Sequence, residues 1–195
     1  MSGSSILRDL EKVQPNPSHY AMTEMEKIGI LKCIITQNVD NLHQKAGSKN
    51  VIDFHGNASK LRCLNCGERY PKEGFDLVKI VSEGKIPLCK KCNYPLKSDV
   101  VYFKEPIPED IYMRSLSEVE KCDVMLVAGT SAVVYPAAEL PRIAKRKPIS
   151  AVIIEVNAEP TPLTEEGISD YFIQGMTGKV LPKIVDEIKK LIAQT

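Results

Sequence analysis

Apolar residues recur at helical spacing near both ends of the chain. Over residues 17–28 three of them share one face, with Asn16 as a suitable cap, Pro17 in the first turn and Gly29 at the end. These three are Ala21, Met25 and Ile28. The longer face near the other end consists of Val180, Leu181, Ile184, Val185, Ile188, Leu191 and Ile192. The spacing predicts two amphipathic helices that each bury one face in a core.

Short apolar runs between these helices predict buried strands. The strands are expected at 33–35, 51–54, 124–128, 151–156 and 171–173, with a further helix over 136–145. The run at 33–35 is continuous rather than alternating, which is typical of a strand that is covered on both faces in a parallel sheet. Alternating strands and helices indicate an α/β layered fold, in which ligands bind at the carboxyl ends of the strands.

Composition and charge exclude several classes of protein. Apolar residues make up 43% of the 195 residues, and 26 basic against 25 acidic side chains give a formal charge of +1. This is an ordinary globular mixture, and a near-neutral chain is not typical of proteins that coat nucleic acid. Residues 1–9 contain no apolar stretch of signal-peptide length, and the uncharged stretch 124–138 is too short for a membrane helix. We therefore expect a cytoplasmic protein without a membrane partner.

Four of the six cysteines form two Cys-x-x-Cys pairs. The pairs are Cys63/Cys66 and Cys89/Cys92, with 22 residues between them. Four thiolates brought together in this way favour one tetrahedral zinc, or less often iron, and a fully protein-ligated zinc is structural. Two disulfides or four unpaired core cysteines are the alternatives. The few aliphatic runs between residues 58 and 103 also favour a small module that is held by metal.

Polar residues follow the predicted strands at four places. Residues 36–41 (Thr-Gln-Asn-Val-Asp-Asn) suit ribose hydroxyls and a carboxamide, although Asn and Asp are also common turn residues. His55, next to Gly56, can take a proton from a hydroxyl at neutral pH, or it can be a buried structural histidine. Residues 129–131 and Asn157 can bind phosphate oxygens, or they can form ordinary turns after their strands.

Taken together, these motifs resemble the sirtuins, the NAD-dependent protein deacylases. The matching segments occur in the family's order at 15–19, 36–43 with 46–47, 55–56, the four cysteines, 99–103, 129–138 and 156–157. Each motif has low specificity by itself, but the ordered set is specific. The resemblance implies a Rossmann-like NAD-binding domain over 1–58 and 104–195, with a zinc-binding module inserted over 59–103.

The resemblance also implies roles for individual residues. Gln37, Asn38 and Asp40 hold the nicotinamide ribose and carboxamide, and His55 acts as general base on a ribose hydroxyl. The adenosine and phosphate portion is held by Gly129, Thr130, Ser131 and Asn157. Val101, Phe103 and Val133 line the substrate site, where an acyl-lysine peptide adds as a strand between 99–103 and 133–136.

In the reaction that the resemblance implies, the acyl oxygen attacks the ribose carbon that carries nicotinamide. After nicotinamide leaves, His55 assists a ribose hydroxyl to attack the acyl carbon. The products are free lysine, nicotinamide and O-acyl-ADP-ribose. This chemistry requires that water is excluded from the lysine side chain and that the imidazole is neutral.

Two departures from the family pattern change the expectation. Lys104 stands where the family usually has a glycine between Phe103 and Glu105, so peptide docking is expected to differ. No glycine-rich phosphate loop precedes residue 36, which predicts an N-terminally incomplete sheet and slow or absent turnover of NAD. A catalytically impaired relative that binds peptide and NAD therefore remains an alternative, as does a zinc-ribbon adaptor.

Overall fold

The computed structural model describes residues 13–194. Its helices are α1 (Pro17–Lys27), α2 (Leu42–Lys45), α3 (Leu77–Ser82), α4 (Glu109–Lys121), α5 (Leu140–Arg146), α6 (Pro162–Glu165) and α7 (Thr177–Ala193). Its strands are β1 (Ile34–Thr36), β2 (Val51–Asp53), β3 (Lys60–Cys63), β4 (Arg69–Pro71), β5 (Leu96–Ser98), β6 (Val124–Ala128), β7 (Val152–Asn157) and β8 (Tyr171–Gln174). Two 3-10 helices occupy Lys72–Gly74 and Ala137–Glu139.

These elements belong to two compact units. The first, here called the cysteine unit, comprises Val13, Thr36–Asn41 and His55–Ile107. The second, here called the sheet unit, comprises Gln14–Ile35, Leu42–Phe54 and residues 108–194. The domain boundaries that the resemblance implies, at 58/59 and 103/104, remain a prediction.

The sheet unit contains a three-stranded parallel sheet in the order β6-β7-β8. Ala128 of β6 pairs with Val156 of β7, and Asn157 of β7 pairs with Gln174 of β8, so the three strands end close together. The connection from β6 to β7 contains α5, and the connection from β7 to β8 contains α6. The predicted α/β fold with a parallel sheet is confirmed, and β6 has the predicted bounds.

The first and last helices of the described chain pack through the predicted apolar faces. One core cluster of the sheet unit consists of Ala21, Met25, Val156, Leu181 and Val185. Val180, Ile184 and Ile188 are partly buried against this core. Leu191 and Ile192, on the same predicted face, are 64% and 53% exposed and lie outside this core cluster. The apolar face of α7 extends beyond the core cluster. The spacing of apolar residues does not indicate how far along a helix its packing partner extends.

The start of α1 follows the predicted capping chemistry. Asn16 Oδ1 accepts hydrogen bonds from the backbone N–H groups of Ser18 (2.9 Å) and His19 (3.4 Å). The His19 ring approaches the Asn16 backbone N–H in return, at 3.2 Å, which closes a capping box. Pro17 occupies the first turn, where its missing N–H costs nothing.

Several predicted elements differ from the observed ones. The strands expected at 51–54, 151–156 and 171–173 are Val51–Asp53, Val152–Asn157 and Tyr171–Gln174. The strand expected at 33–35 is Ile34–Thr36, one residue later. The helix expected over 136–145 begins as the 3-10 helix Ala137–Glu139 and becomes α5 only at Leu140, and Pro141 cannot donate a backbone hydrogen bond into the preceding turn. Residues 99–103, beside which the peptide is expected to add as a strand, form no regular strand themselves, and β5 ends at Ser98. The pattern analysis did not predict α4 at all.

The cysteine unit contains an antiparallel sheet in the order β4-β3-β5. Its buried cluster is small: Leu61, Cys63, Cys89 and Leu96, with Tyr70, Phe75 and Leu77 packed against it. A core of this size supplies little stability by itself, so a second source of cohesion is needed. Among the described residues, no helix combines the length and the hydrophobicity that crossing a bilayer requires.

Candidate active site and metal centre

Within the cysteine unit, His55 lies against the polar loop 36–41. His55 follows β2 and is half-buried, and its Nδ1 is 3.1 Å from the backbone carbonyl oxygen of Gln37. A carbonyl oxygen can only accept a hydrogen bond, so this contact places the proton of the neutral ring on Nδ1. Nε2 is then the nitrogen that carries the lone pair, as a general base requires.

The other predicted residues of the loop follow directly after β1. The Asn38 backbone N–H donates to Thr36 Oγ1 (3.1 Å), and the residue is exposed. Gln37 and Asp40 are half-buried. The structure therefore brings together Gln37, Asn38, Asp40 and His55 within one unit, as the sequence analysis expects of a nicotinamide-side site.

Gly56 allows the histidine segment to lie directly against the segment after β5. Its φ is +79°, and a Cβ at this position would be 1.9 Å from the Asp99 carbonyl oxygen. A backbone hydrogen bond joins the same two segments, from the Val101 N–H to the His55 carbonyl oxygen (2.9 Å). The Asp99 carboxylate is fixed by Arg69 Nε (3.1 Å) and Arg62 Nε (3.5 Å). Burial raises the pKa of this carboxyl, and the two guanidinium groups oppose that rise.

The predicted substrate residues of this unit lie at its surface. Val101 is half-buried, whereas Phe103 is 97% exposed. Lys104 has a φ of +73°, and the Glu105 N–H donates to the Tyr102 carbonyl oxygen (2.9 Å) to close a turn. Lys104 thus adopts the left-handed backbone that glycine would adopt more easily. A lysine at this position therefore costs more conformational energy than a glycine would.

The predicted dinucleotide residues of the sheet unit lie at the carboxyl ends of the parallel strands. The Gly129 N–H donates to the Val156 carbonyl oxygen (3.0 Å), and Asn157 Nδ2 donates to the Thr130 carbonyl oxygen (2.9 Å). Ser131 is exposed, and Gly129 has a φ of +64°. Asn157 therefore holds the 129–131 turn in place from the neighbouring strand. This is the edge of an α/β sheet where ligands bind.

Beyond that turn the chain presents exposed apolar side chains. Val133, Val134 and Tyr135 are 56%, 44% and 62% exposed. The segment is anchored just behind them, because Arg142 Nη1 donates to the Ala138 carbonyl oxygen (2.7 Å). The Arg142 guanidinium also makes two hydrogen bonds to Glu166, of 2.8 and 2.7 Å. Val133 is thus accessible to a ligand, and the residues that follow its segment are held by the hydrogen bonds of Arg142.

The four paired cysteines converge at one end of the antiparallel sheet. Their sulfur atoms all lie within 4.8 Å of one another. Three of the separations are 3.5 Å (Cys63–Cys92), 3.7 Å (Cys66–Cys89) and 3.6 Å (Cys66–Cys92). A zinc tetrahedron with Zn–S bonds of about 2.3 Å has S–S edges of about 3.8 Å. The four thiolates therefore fit one structural zinc and leave no coordination position for substrate.

Neighbouring groups orient these sulfurs. The backbone N–H groups of Asn65 and Lys91 point at Cys63 Sγ and Cys89 Sγ, each at 3.4 Å. The Tyr70 hydroxyl is 3.2 Å from Cys89 Sγ, where it can donate to a thiolate. Donors around the ligands are the usual outer shell of a zinc–thiolate site.

The remaining two cysteines lie in the sheet unit, outside this cluster. Burial raises the pKa of the Cys33 thiol to about 11. Burial also raises the pKa of the Cys122 thiol, which donates to the Val119 carbonyl oxygen at 3.1 Å. Both are protonated at neutral pH, so neither behaves as a metal ligand or a nucleophile.

Removing the metal is expected to loosen the cysteine unit. Strong chelation should release about one zinc per chain, since the four thiolates fill one tetrahedron. The amides of β3, β4 and β5 should then exchange with solvent faster, because the small core loses its main support. Zinc release is measured with a colorimetric chelator, and exchange is measured by mass spectrometry.

Two serine variants separate ligation from loss of a thiol. Cys66→Ser should lower the zinc content of the purified protein, whereas Cys122→Ser should keep it at the wild-type value. Purified wild-type protein without zinc, or equal zinc content in the two variants, would contradict the assignment.

One buried polar residue beside the histidine was missed by the sequence analysis. Asn57 is fully buried, and its side-chain amide donates to Asn41 Oδ1 at 2.9 Å. Its only local signal is an asparagine followed two residues later by serine, a common turn pattern. That pattern does not reveal a partner 16 residues away.

Comparison with known proteins shows to which proteins this chain is similar. The model of the Sir2 family matches residues 4–136. The "NAD-dependent protein deacylase 2" of Archaeoglobus fulgidus is 48% identical over 189 residues, which are 96% of this chain and 72% of that protein.

Solved structures show the same similarity. A Sir2 homologue in complex with NAD is 44% identical, with a TM-score of 0.76 over 91% of this chain and 66% of that one. Sir2Af2 bound to a myristoylated histone peptide is 48% identical, with a TM-score of 0.73 over 94% of this chain and 75% of that one.

Proposed function

The chain belongs to the Sir2 family of NAD-dependent protein deacylases, and we propose that His55 is the general base with which it removes acyl groups from protein lysines. The observation that carries this assignment is the 3.1 Å contact between His55 Nδ1 and the Gln37 carbonyl oxygen. It fixes the ring on the same loop that carries Asn38 and Asp40. The base and the polar groups expected to hold nicotinamide and its ribose are therefore positioned together.

NAD, when bound, supplies a ribose carbon that carries cationic nicotinamide, a good leaving group. His55 Nε2 takes the proton of a ribose hydroxyl, while Nδ1–H stays bonded to the Gln37 carbonyl oxygen. The bond orients the ring and favours the required tautomer. It also stabilises the imidazolium that forms when Nε2 takes the proton.

The polar loop is proposed to bind the nicotinamide end of the dinucleotide. Amide groups of Gln37 and Asn38 can both donate to and accept from a carboxamide, and the Asp40 carboxylate accepts from ribose hydroxyls. At the edge of the parallel sheet, Gly129, Thr130, Ser131 and Asn157 are proposed to hold the adenosine and phosphate portion. The turn that Asn157 braces supports this proposal.

The substrate is proposed to be an acylated lysine within a peptide or protein. Val101, Phe103 and Val133 provide apolar surface for the acyl-lysine side chain, and two of the three are largely exposed. The similarity to Sir2Af2, whose structure holds a myristoylated histone peptide, supports an acylated peptide as the ligand. A cytoplasmic location stays a prediction, as does the absence of a membrane or nucleic-acid partner.

Acyl-dependent cleavage of NAD tests this function. The full chain, in excess over an acetyl-lysine peptide, should release nicotinamide and form O-acyl-ADP-ribose and free lysine in equal amounts. Single-turnover conditions measure the reaction even where turnover is slow. Products are identified by mass spectrometry.

The same peptide with an unmodified lysine is the control, and it should give no nicotinamide above background. Nicotinamide release that is equal with both peptides would contradict deacylation. NAD and peptide binding without any release would favour the catalytically impaired relative.

A further inference from the structure

Asn57 lies at the junction between the histidine segment and the polar loop, and its side chain is fully buried. Its amide nitrogen donates to Asn41 Oδ1 (2.9 Å). Its amide oxygen accepts from the Ser59 backbone N–H (2.9 Å) and from Ser59 Oγ (2.6 Å). The amide oxygen thus bonds within its own turn, and the amide nitrogen bonds to the polar loop.

The contact from Asn57 completes a row of attachments along the loop. Alternate loop residues 37, 39 and 41 each bind the segment that follows β2. Gln37 binds the His55 ring, and the Val39 carbonyl oxygen accepts from the Ala58 N–H at 2.8 Å. Asn41, the last residue of the loop, binds Asn57. Of the residues proposed to hold nicotinamide and ribose, Gln37 is therefore itself an attachment point, and Asn38 and Asp40 each lie between two such points.

The backbone of Asn41 makes this end of the loop sensitive to its side-chain partner. Asn41 has a φ of +63°, which asparagine tolerates better than most residues but which is still less favourable than an extended or helical conformation. Its hydrogen bond to a fully buried amide offsets that cost. Without Asn57, Asn41 loses this partner, and the loop gains other conformations.

We infer that Asn57 is a positioning residue for the nicotinamide-side loop. It sets the distance between that loop and the His55 ring, and it acts through Asn41 rather than on the substrate. The inference rests on the proposed function, because it gives the loop its role in binding NAD. Whether or not the chain binds NAD, this one side chain keeps the loop ordered.

The test compares Asn57→Ala with the wild type in two measurements. Amide exchange of the Ala58 N–H, which donates to the loop, should be about tenfold faster, as expected for the loss of one buried hydrogen bond. The Kd for NAD, measured by calorimetry, should rise about tenfold. Zinc content and the amide exchange of β3 should stay at their wild-type values, which a general loss of folding would not allow.

Ser59→Ala is the matched control, because it removes another hydrogen bond of Asn57 but leaves the contact with Asn41 intact. It should change neither loop exchange nor NAD affinity by more than about twofold. Asn41→Gly removes the same bond without left-handed strain, so it should reproduce the effect of Asn57→Ala, and the double variant should bind NAD no more weakly than either single variant.

The outcomes separate this inference from the proposed function. Unchanged loop exchange or unchanged NAD affinity in Asn57→Ala would overturn the positioning role, as would an equal effect of Ser59→Ala. If the wild type itself does not bind NAD, the proposed function fails, and the exchange measurement still decides whether Asn57 orders the loop.

Discussion

Replacing His55 by alanine is expected to slow acyl transfer by about 10²–10⁴-fold, the usual contribution of a positioned general base. The earlier departure of nicotinamide does not use the base. Exchange of labelled nicotinamide into NAD, in the presence of acetyl-lysine peptide, should therefore fall much less than the formation of free lysine. Both rates are measured on the same preparation, and zinc content is recorded alongside.

His19→Ala is the control for loss of a histidine. His19 belongs to the capping box of α1, so its loss should lower the melting temperature without changing the rate of acyl transfer at 25 °C by more than about twofold. A His55→Ala protein that retains zinc and forms lysine at nearly the wild-type rate would remove His55 from the mechanism.

Gly56→Ala is expected to destabilise the cysteine unit by about 3–5 kcal/mol. This value is the sum of two costs, the strain of an alanine in a left-handed backbone and the overpacking by its methyl group. The added methyl group would lie 1.9 Å from the Asp99 carbonyl oxygen and 3.1 Å from the Val100 Cα. Both are backbone atoms, so no side-chain rotation relieves the clash. The segment 99–101 must move away from His55, which removes the support for the ring. Chemical denaturation measures the free energy of unfolding.

Gly84→Ala isolates the backbone contribution. Gly84 has a φ of +67° in the same unit, but nothing lies within 4 Å of the Cβ that alanine would add. It should cost only about 1–2 kcal/mol, the strain of a left-handed alanine. If both alanine variants lost the same stability, the close approach of Gly56 to Asp99 would have no energetic role.

Much of the secondary structure was accessible from local patterns. Asn16 and Pro17 predict the start of α1, and the apolar run of β6 gives its bounds, because capping and burial leave a signal within a few residues. The missed helix α4 shows the limit of this approach. It has only two buried residues, Ser115 and Val119, and one of them is polar, so its core-facing side is not recognisable as an apolar stripe.

The candidate site divides in the same way. The cysteine pairs, His55 and the polar loop are recognisable because their chemistry depends on residue type and short spacing. The bond between Asn57 and Asn41, and the contact between Gly56 and Asp99, join residues that are 16 and 43 positions apart. Nothing near either residue indicates its partner.

By itself the sequence determined the zinc ligands, the α/β class with its parallel strands, and the set of residues that resemble a sirtuin site. Only the tertiary structure decided that Thr36–Asn41 folds with the cysteine unit, that Lys104 adopts a glycine-like turn, and that Asn57 is buried against the loop. The reason is physical. Ligand chemistry and helix or strand period are properties of neighbouring residues, whereas close packing and the satisfaction of buried polar groups depend on which distant segments meet.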